Sequence, residues 1–162
     1  MVALAMIVLA VAQVTWAPRL EVAGAFPNLA LVAIASITWT NGAREAMVWA
    51  CLGGVLLDLA APGPIGPHAV ALLAGAYSTG FWQRNLARPG LLFVALSAAL
   101  GTVLYSTVLL VVDGALGISI PPFLESARLT AAAAVYNALL MPPSFWLVRG
   151  VIGAMGTRPE PA

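Results

Sequence analysis

Residues 91–112, LLFVALSAALGTVLYSTVLLVV, run for 22 positions without a charged residue or a proline. As an α-helix that run is about 33 Å long at 1.5 Å per residue, enough to cross the hydrocarbon core of a bilayer. A chain holding such a run must either bury it completely or place it in lipid. The rest of the sequence decides between the two. It is 62% hydrophobic and 8% charged, with a mean hydropathy of +0.99, whereas soluble domains carry about a quarter charged residues. There are too few polar residues to coat a soluble surface, so the expected class is an all-α polytopic membrane protein.

Charged residues and Pro/Gly clusters cut the chain into six apolar segments. The first runs from about Met1 to Ala17 and stops at Pro18, Arg19 and Glu21. It has no basic leader before its apolar core, so it reads as a retained span rather than a signal peptide. The second follows Pro27 and ends near Thr40; NGARE at 41–45 forms a turn, and the third covers about Ala46–Ala60. APGPIGP closes that segment, the fourth covers about His68–Trp82, the fifth Leu91–Val112, and the sixth Arg128–Val148. The predicted organisation is a single six-helix transmembrane domain over 1–156 with a short polar cytoplasmic tail, TRPEPA, at 157–162. Segments two to four hold about 13 to 16 residues each, short for a span, and need length from flanks such as Ala23–Ala25 or Ala61–Gly66. A four-span arrangement with two re-entrant segments is the alternative.

With six spans, Arg44, Arg84, Arg88, Arg149 and Arg158 share one side and only Arg19 and Arg128 the other. The positive-inside rule then places both termini in the cytoplasm and Asp58 toward the outer face. Trp16, Trp39, Trp49, Trp82 and Trp146 fall near predicted span ends, where indole rings favour the headgroup level. No internal repeat is evident, so an inverted-repeat transporter has no support.

Seven Arg and no Lys against six acids leave no basic surface to hold nucleic acid. Cys51, the only cysteine, excludes an intrachain disulfide and reads as a packing residue. Asp58 is the outstanding group, since an acid within the bilayer costs at least about 2.5 kcal/mol. It also lies in the last turn of its helix, where the negative end of the helix dipole opposes it. Compensation is expected from His68 or from the free N–H groups of the helix that begins at Pro67. Three roles stay open: bracing this turn, relaying a proton or ion, and docking a partner. His68 lacks any Cys or His companion at ligand spacing, so neither a metal site nor catalysis is expected. Asp113 and Glu125 flank the loop DGALGISIPPFLE, expected to be an ordered interfacial segment. Ser97 with Gly101, and Ala74 with Ser78, allow close helix approach. Pro142 and Pro143 should bend or break the sixth helix, and Tyr136 and Asn137 are placed to hydrogen-bond across helices.

PNLALV at 27–32 and GGVLLDLAAPGPIGPHAVALLAGAY at 53–77, with Arg84 beyond, resemble the bacterial rod shape-determining protein MreD family. Pro27 and Leu29 match the start of that family's second span, while Asn28 stands where Asp is usual. Asp58, Gly66 and Ala69 fit their places, and Ile65 replaces the usual Leu. The resemblance implies a non-enzymatic scaffold of the cell-elongation complex, the elongasome of peptidoglycan synthesis, without a cofactor. It would bind MreC and, through it, meet MreB, RodA and a monofunctional penicillin-binding protein. The structural or partner-binding candidates it marks are Pro27, Asn28, Asp58, Gly63, Gly66, His68, Tyr77 and Arg84. It also implies a fold similar to the substrate-binding subunit of energy-coupling-factor transporters, so a vitamin-binding subunit is the alternative function. Spans made mostly of Ala, Leu, Val and Gly offer little to a polar ligand and suit packing against lipid, a partner's helix or a second copy in a homodimer.

Overall fold

The structure is a computed structural model that describes residues 2–21, 24–86 and 90–154. Ala23, Arg88, Arg158 and the tail at 157–162 lie outside the described residues. All regular elements among the described residues are helical: α1 (Val2–Thr15), a 3-10 turn (Ala17–Leu20), α2 (Leu29–Asn41), α3 (Ala43–Ala60), α4 (Pro67–Asn85), α5 (Leu91–Ala115) and α6 (Phe123–Ala154). Two of them are long and apolar enough to cross a membrane, α5 and the stretch of α6 from Phe123 to Val151.

Each expected apolar segment forms a helix, but several boundaries move. NGARE is not a five-residue turn. Gly42 alone separates α2 from α3, at φ +97°, a conformation that glycine adopts without a Cβ penalty. Its N–H donates to Thr38 O at 3.0 Å and closes α2, while its carbonyl accepts from Ala46 N–H and opens α3. Glu45 then sits in the first turn of α3, where an acid meets the positive end of the dipole. Thus α3 and α4 reach 18 and 19 residues by recruiting Ala43–Glu45 in the one and Pro67 with Gln83–Asn85 in the other. The Ala61–Gly66 flank adds no helical length, because it forms the bend between them.

Helix α6 begins five residues before Arg128. Pro121 and Pro122 precede it, Ser126 N–H donates to Pro122 O and Ser126 Oγ to Pro121 O. The helix also continues through Pro142 and Pro143 rather than breaking there. Buried contacts on both sides of the pair hold it in register: Asn137 and Met141 are fully buried, and Phe145 packs on the same cluster as Val32, Ala35, Val94 and Ala98.

The core is built around α2, which packs against all five other helices. Its Leu31, Val32, Ile34 and Ala35 are buried, and its threonine and serine hydroxyls return to carbonyls of the preceding turn. Small residues bring the neighbours close. A Cβ at Gly54 would collide with Ala69 across the α3–α4 contact. One at Gly101 would lie 3.3 Å from Gly75 O across the α4–α5 contact. Ser97 and Gly101 are both buried, as expected of a packing pair, whereas on α4 the contact uses Gly75 and Thr79 in place of Ala74 and Ser78. Trp39 is a packing residue, its indole N–H donating to Ser97 Oγ at 2.9 Å. Cys51, expected to pack, is instead exposed on α3.

Candidate functional site

At one end of the bundle α1, α3 and α5 finish and α2, α4 and α6 begin. The starts of α2 and α4 are both buried there, and a helix start presents N–H groups with no partner inside the helix. How they are satisfied defines the site.

At α4 one side chain supplies every acceptor. Asp58, 3% exposed, projects from the last turn of α3 into the start of α4. Gly66 N–H donates to its Oδ2 at 2.8 Å and Ala69 N–H to the same oxygen at 3.2 Å. His68 N–H donates to Oδ1 at 2.9 Å. Pro67, in the first helical position, has no N–H to satisfy. The carboxylate therefore takes all the donors that this helix start presents. The His68 ring adds a fourth contact, Nδ1 lying 2.9 Å from Oδ1. With the carboxylate accepting, Nδ1 bears the proton and Nε2 is left to bond elsewhere. The dipole of α3, which opposes Asp58, is offset by that of α4, which favours it. Gly66 has φ +129°, and this turn of the backbone aims its N–H at the carboxylate.

Three side chains share the same task at α2. Asn28 caps its own helix, its Oδ1 accepting from Leu31 N–H at 2.9 Å. Gln13 of α1 clasps the backbone on either side of Asn28: its Oε1 accepts from Leu29 N–H at 2.6 Å and its Nε2 donates to Pro27 O at 3.1 Å. Asn137 of α6 accepts from Asn28 N–H through Oδ1 at 2.9 Å and donates through Nδ2 to Thr102 Oγ1 of α5, also at 2.9 Å.

Between these two helix starts lies a cavity of about 480 Å³. Gln13, Asn28, His68, Thr102 and Tyr105 border it on the polar side; Leu57, Leu109, Leu110, Leu129 and Ala133 form much of the remainder. The Tyr105 phenol lies beside the Asn28 amide and near Asp58, and its ring is 6.5 Å from that of His68, tilted by 59°.

The sequence candidates therefore divide. Asp58, Gly66 and His68 meet directly, and Pro27 and Asn28 lie across the cavity from them. Gly63 is in the exposed turn with φ +152° and open space where a Cβ would go. Tyr77 is exposed and lies about 14 Å along α4 from His68 at 1.5 Å per residue. Arg84 is exposed in the last turn of α4, where a cation complements the helix dipole. Of Tyr136 and Asn137, the asparagine makes the interhelical bonds. The sequence reading passed over Gln13, Thr102 and Tyr105; the signal for Gln13 is an amide interrupting an otherwise apolar run from Val2 to Val14. Among the described residues no three His, Cys, Asp or Glu side chains converge as a metal site would require. Compared with family models, curated proteins and solved structures, the chain matches none.

Proposed function

We propose that this chain is a six-span inner-membrane protein with both termini in the cytoplasm, serving as a scaffold of the cell-elongation complex that binds MreC. It performs no chemistry itself and contributes a fixed helical surface, against which a single-pass partner packs by close contact and a few hydrogen bonds. Through that partner it reaches MreB, RodA and a monofunctional penicillin-binding protein. The observation that carries the reading is the corner between α3 and α4. The residues behind the MreD resemblance are those that fix it: Gly54 against Ala69, Asp58 on the N–H groups of Gly66, His68 and Ala69. A motif spent on holding two helices at a set angle fits a binding surface better than a reaction centre. The exterior agrees with a lipid setting, since Leu92, Val111, Leu139 and Leu147 are each more than 60% exposed, an apolar surface that a soluble monomer rarely presents.

The test is affinity purification of the tagged chain from its native membrane. Recovery of a stoichiometric single-pass coiled-coil protein is the expected result. A second reading, a vitamin-binding subunit of an energy-coupling-factor transporter, draws on the cavity of about 480 Å³. Recovery with paired ATPases and a bound vitamin would overturn the scaffold in its favour.

A further inference from the structure

The cavity has the size of a small-molecule site, about 480 Å³, within the 300–1,000 Å³ range of ligand pockets. Its walls are mostly hydrocarbon. We propose that it binds a neutral amphiphile drawn from the membrane: one hydrocarbon chain with an uncharged, hydroxyl-bearing head. The inference concerns the cavity alone and is independent of the scaffold reading.

The lining sets the head group. Among the described residues no Arg borders the cavity, so an anionic head would meet no counter-charge. Most N–H groups at the two helix starts are already spent. The N–H groups at the start of α4 are committed to Asp58, and Leu29 and Leu31 at the start of α2 to Gln13 and Asn28. The buried Asp58 charge behind His68 further opposes a second anion. A cationic head gains little, because both Asp58 oxygens already accept two bonds each. The Thr102 hydroxyl is spent on Ala98 O and Asn137 Nδ2, which leaves the Tyr105 phenol and the His68 ring as the polar groups at the wall. These suit the hydroxyls of a glyceride-like head.

The rim sets the source. Phe26 is half-exposed beside the cavity. Pro121 and Ser126 line it, and between them Phe123 and Leu124 are 87% and 81% exposed. An apolar rim of this kind belongs at the membrane interface and admits a ligand from lipid rather than from water.

The experiment uses the full chain in phosphatidylcholine nanodiscs with a photoreactive monoacylglycerol, its diazirine in the acyl chain, and the fatty acid of the same chain as the anionic control. After illumination, adducts are mapped by mass spectrometry. The monoacylglycerol is expected to label the cavity walls, Thr102–Leu110 and Leu129–Ala133, and unlabelled monoolein to compete. The fatty acid should label them at least about tenfold less, the ratio that 1.4 kcal/mol of unpaired-charge burial produces. Filling the space with Ala133→Phe, or with Ser106→Phe should the first variant fold poorly, should remove the cavity adducts while those on outward-facing Leu92 and Leu139 persist. Equal labelling by the fatty acid overturns the neutral-head assignment. Adducts confined to outward-facing positions, or unchanged in a folded filled variant, overturn the site. Partner recovery is read separately, so absence of cavity labelling in the parent chain with intact partner binding refutes this inference alone.

Discussion

Replacing Asp58 by Asn retains the shape of the side chain and removes one acceptor oxygen. If the amide oxygen takes the place of Oδ2, Gly66 and Ala69 keep their bonds, but the amide NH2 then faces His68 N–H. The His68 ring can change tautomer and accept from that NH2, whereas its backbone N–H cannot. One buried donor is left unpaired, at about 1–3 kcal/mol, and two bonds become neutral instead of charge-assisted, losing about half their strength. The expected cost is about 3 kcal/mol. Asp58→Ala orphans all three backbone donors and should cost about 5 kcal/mol or more. For a chain of this length each kcal/mol moves Tm by about 2–4 °C, so Asp58→Asn should melt about 6–12 °C below the parent protein in the same detergent, with Asp58→Ala lower still. Hydrogen exchange should show the first turn of α4 opening before the rest of that helix. A Tm within about 2 °C of the parent, or an Ala variant as stable as the Asn variant, would refute the capping argument.

The packing and network contacts give four further expectations. Gly54→Ala sets a Cβ against the Ala69 backbone, whose N would be 2.7 Å away. Backbone cannot swing aside, so the loss should be about 1–3 kcal/mol. Gly75→Ala first meets the flexible end of Leu31 at 2.6 Å and should cost about 1 kcal/mol; paired melting curves test the order. Asn137→Leu strands Asn28 N–H and removes the donor to Thr102. It should destabilise the bundle by about 2–4 kcal/mol, measured by unfolding, with faster exchange of the Asn28 amide. Trp39→Phe loses the bond to Ser97 and part of the ring packed on Val32, Ala35 and Val94, about 1–3 kcal/mol, and should leave partner recovery intact.

The apolar runs were enough to place six helices, because each boundary is marked locally by proline, glycine or charge. Asp58 is legible for a related reason: a carboxylate at the negative end of one helix, nine residues before the next helix start, needs nearby N–H donors, and the chain has few others to offer. The cap at α2 was only half legible. Asn28 directly before an apolar run is an N-cap signal, but nothing near it in sequence indicates that Gln13 and Asn137, 15 residues before and 109 after, complete the set. The continuity of α6 through two prolines likewise depends on burial of Met141 and Phe145 against other helices. The average composition of the spans gives no sign of the partly polar cavity wall, because a small number of polar residues is gathered at one end rather than spread along the helices.

That gathering follows from helix lengths. The central helix α2 has 13 residues and is about 20 Å long, while α5, with 25, is about 37 Å. Where α2 begins at Leu29, α5 and α6 continue past it, and the space above the short helix has no helix to fill it. The buried start of α2 exposes N–H groups to that space, so the residues bordering it must include acceptors, and Gln13, Asn28 and Asn137 supply them. The start of α4 creates the same demand and Asp58 meets it. In contrast, α6 starts among exposed residues, where Ser126 and two prolines suffice. The shortness of the second segment, which in the sequence looks like a deficit in spanning length, is in the folded chain the reason a cavity with a partly polar wall exists. Lengthening α2 by a turn into residues 24–27 would remove the cavity and the demand for Gln13 together.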